Sequence, residues 1–75
     1  MKLTVRELRR RKGWTQRELA ERLGVSPGAV ANWEVGTRTP SLETALRLAA
    51  LFDVAVEDIR FLREGAHSSQ ATRSA

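Results

Sequence analysis

Cysteine is missing from this chain, and histidine occurs once, at His67. Without cysteine there is neither a disulfide framework nor a cysteine-based zinc site. The lone histidine lies in a polar stretch, which reads as a solvated side chain rather than a ligand or a base. No apolar run approaches the ~20 residues that span a bilayer. The start, Met1 to Arg6, lacks the apolar core of a signal peptide, so the expected compartment is the cytoplasm and no membrane partner is expected. No acid/base pair, nucleophile constellation or metal cluster stands out, and the sequence does not read as an enzyme. Glu43, Glu57 and Asp58 read as solvated helix carboxylates. No cofactor and no small-molecule ligand are expected.

What is present is basic at one end. The 75 residues form one domain with a net charge of +4 and no room for a second core. Residues 1–12 carry six Lys or Arg against Glu7, residues 13–40 balance, and residues 41–64 carry three Arg against five Asp or Glu. That division points to a polyanion on one side and a different contact on the other.

Cap signals divide the chain into helices. Thr4-Val5-Arg6-Glu7 and Thr15-Gln16-Arg17-Glu18 fit capping boxes, in which the threonine and the glutamate satisfy each other's backbone N–H groups. The first predicts a helix to about Lys12, ended by Gly13, with Val5 and Leu8 inward and Arg9 at the edge of the apolar stripe. Arg6, Arg10 and Arg11 are expected to project outward. The second predicts a helix closed by Gly24, with Leu19, Ala20 and Leu23 inward. Ser26 and Pro27 suit the cap and first position of a third helix, which Gly36 ends. At 100° per residue, Val30 and Trp33 face inward, with Glu34 at the margin, while Gly28, Ala31, Asn32 and Val35 face out. Trp33 therefore reads as core, and Trp14, just before a cap, as a hydrophobic staple.

Ser41 caps a fourth helix of about eleven residues, expected to bury Leu42, Ala45, Leu46, Leu48, Ala49 and Phe52, with Asp53 at its exit. A fifth helix is expected over Val56–Arg63, with Val56, Ile59 and Leu62 inward and a weak start at Ala55. Nothing reads as a strand. The domain is expected to cover residues 1–64, followed by a disordered tail over residues 65–75.

The run Gly13-Trp14-Thr15-Gln16-Arg17-Glu18-Leu19-Ala20-Glu21-Arg22-Leu23-Gly24-Val25-Ser26, then Asn32-Trp33-Glu34-x-Gly36 and Pro40-Ser41-Leu42-Glu43, resembles the phage lambda repressor/Cro class of helix-turn-helix proteins, the XRE family. The resemblance covers about residues 3–62. It implies an all-α, compact five-helix domain that binds double-stranded DNA. The third helix would enter the major groove of a palindromic operator, with the protein a homodimer acting as a transcriptional regulator, a repressor before an activator. It places the protein at the nucleoid. An antitoxin that binds a toxin partner and its own operator, and a controller of a restriction–modification operon, fit the same resemblance.

The resemblance also assigns roles. Gln16, at a helix N-terminus where free N–H groups favour anions, matches a phosphate-gripping position. Arg17, Thr37 and Arg38, then Arg10 and Lys12, are further phosphate candidates. Ser26, Gly28, Ala31, Asn32 and Val35 are the base-facing candidates. Asn32 is the outward amide, of the type that pairs with adenine through two hydrogen bonds, while Ala31 and Val35 suit thymine methyl groups. Pro27 and Gly28 depart from the better-known repressors, which often carry glutamine, arginine or lysine there; with so few donors, much of the discrimination is expected from DNA shape, or specificity is modest. Arg9 and Glu34 match a partly buried ion pair between the first and third helices. Leu51 and Phe61, expected on outward faces, are assigned to the dimer interface.

Overall fold

The computed structural model describes residues 2–62, so the expected domain end near residue 64, the tail at 65–75 and His67 lie outside the described residues. Four α-helices follow one another: α1 (Val5–Lys12), α2 (Gln16–Leu23), α3 (Pro27–Val35) and α4 (Leu42–Phe52). Each begins where a hydroxyl accepts a backbone N–H. Thr4 caps α1 and Thr15 caps α2, both with the reciprocal glutamate bond; Ser26 caps α3 and Ser41 caps α4. Glu7, accepting the Thr4 backbone N–H, is held below the usual carboxylate range mainly by that bond.

Glycine closes three of the helices and aspartate the fourth, all in the left-handed conformation. Gly24 adopts φ +74°, and its N–H and that of Val25 both return to the Ala20 carbonyl, at 2.8 and 3.0 Å. This reversal sends α3 across α2. At the end of α4 the same left-handed conformation falls on Asp53, at φ 58°, where a Cβ must be tolerated.

The fifth helix expected over Val56–Arg63 does not form. A single 3-10 turn occupies Val56–Asp58, and the chain then extends as a strand. Ala55 makes no side-chain cap hydrogen bond, so the turn has little to propagate it. The expectation of no strand is corrected too. β1 (Leu3–Thr4) pairs in parallel with β2 (Ile59–Arg60), matching Leu3 to Ile59 and Thr4 to Arg60. Ile59 is thereby drawn into the core, so the inward face expected of a helix is supplied by a strand.

Val5, Leu8, Leu19, Ala20, Leu23, Val30, Trp33, Leu48, Ala49, Phe52 and Ile59 form the core. Ala20 is fully buried, and α2 and α3 are the most closely packed pair of elements. Two inward expectations for α4 fail: Leu42 is 73% exposed and Leu46 50%. The face through Ala45, Leu48, Ala49 and Phe52 fills the available space, which leaves the other side of the helix to solvent. The converse correction applies to Leu51 and Phe61, expected outward. Both are partly buried and pack against the core. Leu62, expected inward, is exposed at 37%. Among the described residues, no helix is long and apolar enough to cross a membrane.

Candidate nucleic-acid interface

The turn at Gly24 and the Ser26 cap hold α3 against α2 with one face free. Ser26, Pro27, Gly28 and Val35 are exposed on it, and Ala31 and Asn32 are half-buried. This face carries no charge. Gly28 has an ordinary helical backbone, and a Cβ added there would meet nothing nearer than Ser26 Oγ at 3.9 Å. Packing therefore does not demand glycine. A bare surface is what its absence of side chain provides, at a cost in helix propensity of about 0.5–1 kcal/mol.

Asn32 organises the C-terminal end of that face. Its main-chain carbonyl accepts from the N–H groups of Gly36, Thr37 and Arg38, at 2.9, 3.1 and 3.4 Å. Its Oδ1 accepts from Thr37 Oγ1 at 2.8 Å. The loop after α3 is thus wound about one residue, which sets Thr37 and Arg38 beside the neutral face. Thr37, expected as a phosphate donor, has its hydroxyl directed at Asn32. From sequence, Asn32 reads as a base contact, or as a solvated side chain or one bonding the following loop; the loop bond forms, from the Thr37 hydroxyl.

Gln16 has an equally specific local partner. Its Nε2 donates to Glu34 Oε1 at 3.0 Å, which leaves the rest of the half-buried amide at the N-terminus of α2. Glu34 is where three helices meet. Arg9 Nε lies 2.6 Å from Oε2 and Arg9 Nη2 3.0 Å from Oε1, while Arg6 Nε lies 3.3 Å from Oε1. Arg9 Nη1 donates to the Trp14 carbonyl at 2.8 Å, adding the α1–α2 turn to the cluster. Arg6, expected simply to project outward, is a third partner. It keeps a 45% exposed side chain, whereas the Glu34 side chain is fully enclosed.

Burial by itself would push the Glu34 carboxyl up. Hydrogen bonds from Arg9, Gln16 and Arg6 and the Arg9 charge outweigh it, so the group is held below the usual carboxylate range. Arg9 is shifted upward, chiefly by its hydrogen bonds to Glu34. The cluster is therefore ionised at neutral pH and ties α1, α2 and α3 into one frame.

Exposed cations stand on the segments before and after α3. Arg10, Lys12, Arg17 and Arg38 are exposed, and among the described residues none forms a salt bridge. Lys12 Nζ sits 5.9 Å from the Trp14 ring centroid, and the Arg22 guanidinium covers the same ring at 4.2 Å. Trp14 also approaches Phe52, with ring centroids 5.8 Å apart. The indole thus packs between α2 and α4, and Trp33 is buried, so neither is a platform for an unpaired base. Arg47, to which no motif in the sequence assigns a role, donates from α4 to the Leu23 carbonyl at the end of α2. A cation is favoured at such a carbonyl end.

Comparison with known proteins agrees with this geometry. A helix-turn-helix family model matches residues 5–59. The chain is 42% identical over 64 residues to an uncharacterized HTH-type transcriptional regulator of Bacillus subtilis, YgzD, covering 85% of this chain and 97% of that protein. It is 45% identical over 65 residues to an uncharacterized HTH-type transcriptional regulator of Methanothermobacter thermautotrophicus, covering 85% of this chain and 94% of the other. The HTH-type transcriptional regulator AnsR of Bacillus subtilis is 40% identical over 53 residues, with 71% of this chain and 46% of AnsR covered. No solved structure matches the chain significantly. The chain belongs to the XRE-type helix-turn-helix family of DNA-binding transcriptional regulators, and its family is not one of enzymes.

Proposed function

We propose that the protein is a repressor that binds a palindromic operator as a homodimer, reading each half-site with α3 in the major groove. The observation that carries this reading is the outer face of α3. It is uncharged and bare at Gly28, and the loop that folds back onto Asn32 carries the exposed Arg38. A surface without long side chains lets a helix backbone come close to base edges, and flanking cations neutralise phosphates.

In this reading Ser26, Gly28, Ala31, Asn32 and Val35 face the bases. Asn32 offers the amide, and Ala31 and Val35 offer apolar contact to thymine methyl groups. Gln16, Arg17 and Arg38, with Arg10 and Lys12, meet phosphates, while the Thr37 hydroxyl, donating to Asn32 Oδ1, steadies the amide. The Glu34 bond to Gln16 holds that amide at the end of α2, where the helix N-terminus adds donors of its own. Few base donors are available, so DNA shape supplies part of the discrimination. The site of action is the nucleoid of the cytoplasm.

The test is selection of bound sequences from a random duplex pool at two salt concentrations. A palindromic consensus, with affinity falling steeply as salt rises, is the expected result. Failure to retain any double-stranded probe at low ionic strength would overturn the reading.

A further inference from the structure

We infer that the exposed stripe Leu42–Leu46–Ala50 on α4 is the surface on which a second copy of this chain docks. The inference rests on the homodimer reading above and names its surface, replacing Leu51 and Phe61, which pack against their own core. Leu42, Leu46 and Ala50 recur at four-residue spacing, so they form one row along the helix. With Glu43 and Arg47 they line a shallow groove of about 450 Å³. Leu42 and Leu46 contribute nothing to the core, and apolar side chains aligned in this way mark a protein contact rather than a scattered exposure.

The row is self-complementary, which singles out a second copy among the partners it could take. A two-fold axis passing beside Leu46, with the two α4 helices antiparallel, sets Leu46 against the partner's Leu46. It sets Leu42 against the partner's Ala50, large against small, on both sides of the axis at once. Contacts of residue i with j and j with i are the requirement of such an interface. Charge follows the same symmetry. Glu43 falls two residues from the level of the partner's Arg47, about 3 Å along the helix at 1.5 Å per residue. Arg47 spends one N–H on the Leu23 carbonyl and retains others for that glutamate. A stripe on one short helix falls short of the roughly 800 Å² per partner of a standard interface. The pairing is therefore weak in free solution and is completed when two copies occupy neighbouring half-sites.

The experiment uses the full chain. Leu46→Glu should weaken the pairing of two copies by about tenfold or more, read in sedimentation of the free chain at high concentration and as lost cooperativity on a duplex carrying two half-sites, since a half-exposed leucine gives up its burial at the interface. Its melting temperature should stay close to that of the parent. The absence of native cysteine makes Leu46→Cys a clean reporter. Mild oxidation should join two copies, whereas Glu21→Cys, on the exposed side of α2, should not. If Leu46→Glu associates as the parent does, the surface is wrong while the dimer reading stands. A parent that sediments as a monomer at every concentration and binds one copy per duplex removes both. An L46C thiol that resists maleimide in the monomer, because residues 63–75 cover the stripe, also overturns the assignment.

Discussion

Removal of Arg9 is the perturbation with the largest predicted consequence. Glu34 has a fully enclosed side chain, and Arg9 gives it two of its four hydrogen bonds, including the shortest at 2.6 Å. The Arg9 side chain is itself only 12% exposed, so solvent screens this pair little. Arg9→Ala leaves a buried carboxylate with Gln16 and a 45% exposed Arg6, and it orphans the Trp14 carbonyl. Breaking a buried pair from one side costs about 3–5 kcal/mol. The Arg6–Glu34 pair, discounted for exposure, returns up to about 1 kcal/mol, which puts the expected loss near 2–4 kcal/mol. A chain of 75 residues has about 4–11 kcal/mol in total, so the variant should be close to unfolding at 37 °C. Urea titration followed by tryptophan fluorescence measures the loss, with Trp33 buried in the core as the reporter. The double variant Arg9→Met, Glu34→Met should be more stable than the sum of the two single losses by about 1–3 kcal/mol, because no charge is left buried alone. A loss below about 1 kcal/mol for Arg9→Ala, or additivity within about 0.5 kcal/mol, would refute the role given to the cluster.

Three further outcomes follow from the same geometry. The lowered Glu34 carboxyl gives stability that is fully present above the ordinary glutamate range and is lost as pH falls through the depressed folded value. Acid titration of the melting temperature should show that loss, and Glu34→Gln should flatten it; an equally steep curve in Glu34→Gln would assign the effect elsewhere. Gly28→Ala should raise folded stability by up to about 1 kcal/mol, since its Cβ makes only an ordinary contact with Ser26 Oγ at 3.9 Å, yet weaken operator binding measured by anisotropy. Equal or tighter DNA binding by that variant would contradict a close approach of α3. Asp53→Gly, relieving a left-handed residue at φ 58°, should gain up to about 1 kcal/mol in urea titrations, and a loss there would show that the aspartate has a local partner.

The parts of this fold that were legible in the sequence are those set by local chemistry. Thr4, Thr15, Ser26 and Ser41 announce four helix starts, and Gly13, Gly24 and Gly36 announce three stops, because capping hydroxyls and positive φ act within a few residues. What stayed hidden depends on distant partners. Val56, Ile59 and Leu62 have helical spacing, yet Ile59 is claimed by Leu3 in a parallel pairing that no local pattern reveals. In α4 an apolar run wider than one face cannot say which leucines find a neighbour, so Leu42 and Leu46 looked like core. The candidate interface divides in the same way. The bare outer face of α3 follows from its helical wheel, whereas the bonds from Gln16 to Glu34 and from Thr37 to Asn32 exist only after the helices and the loop have closed.

The claim that α3 lies in the major groove is tested most directly by base analogues in the selected duplex. Replacing purines with their 7-deaza forms removes major-groove acceptors and leaves the minor groove intact. Substitution within the half-sites should weaken binding by about tenfold per contacted base, and Asn32→Ala should become insensitive at one position. Binding that ignores every 7-deaza substitution but is displaced by a minor-groove ligand would contradict it.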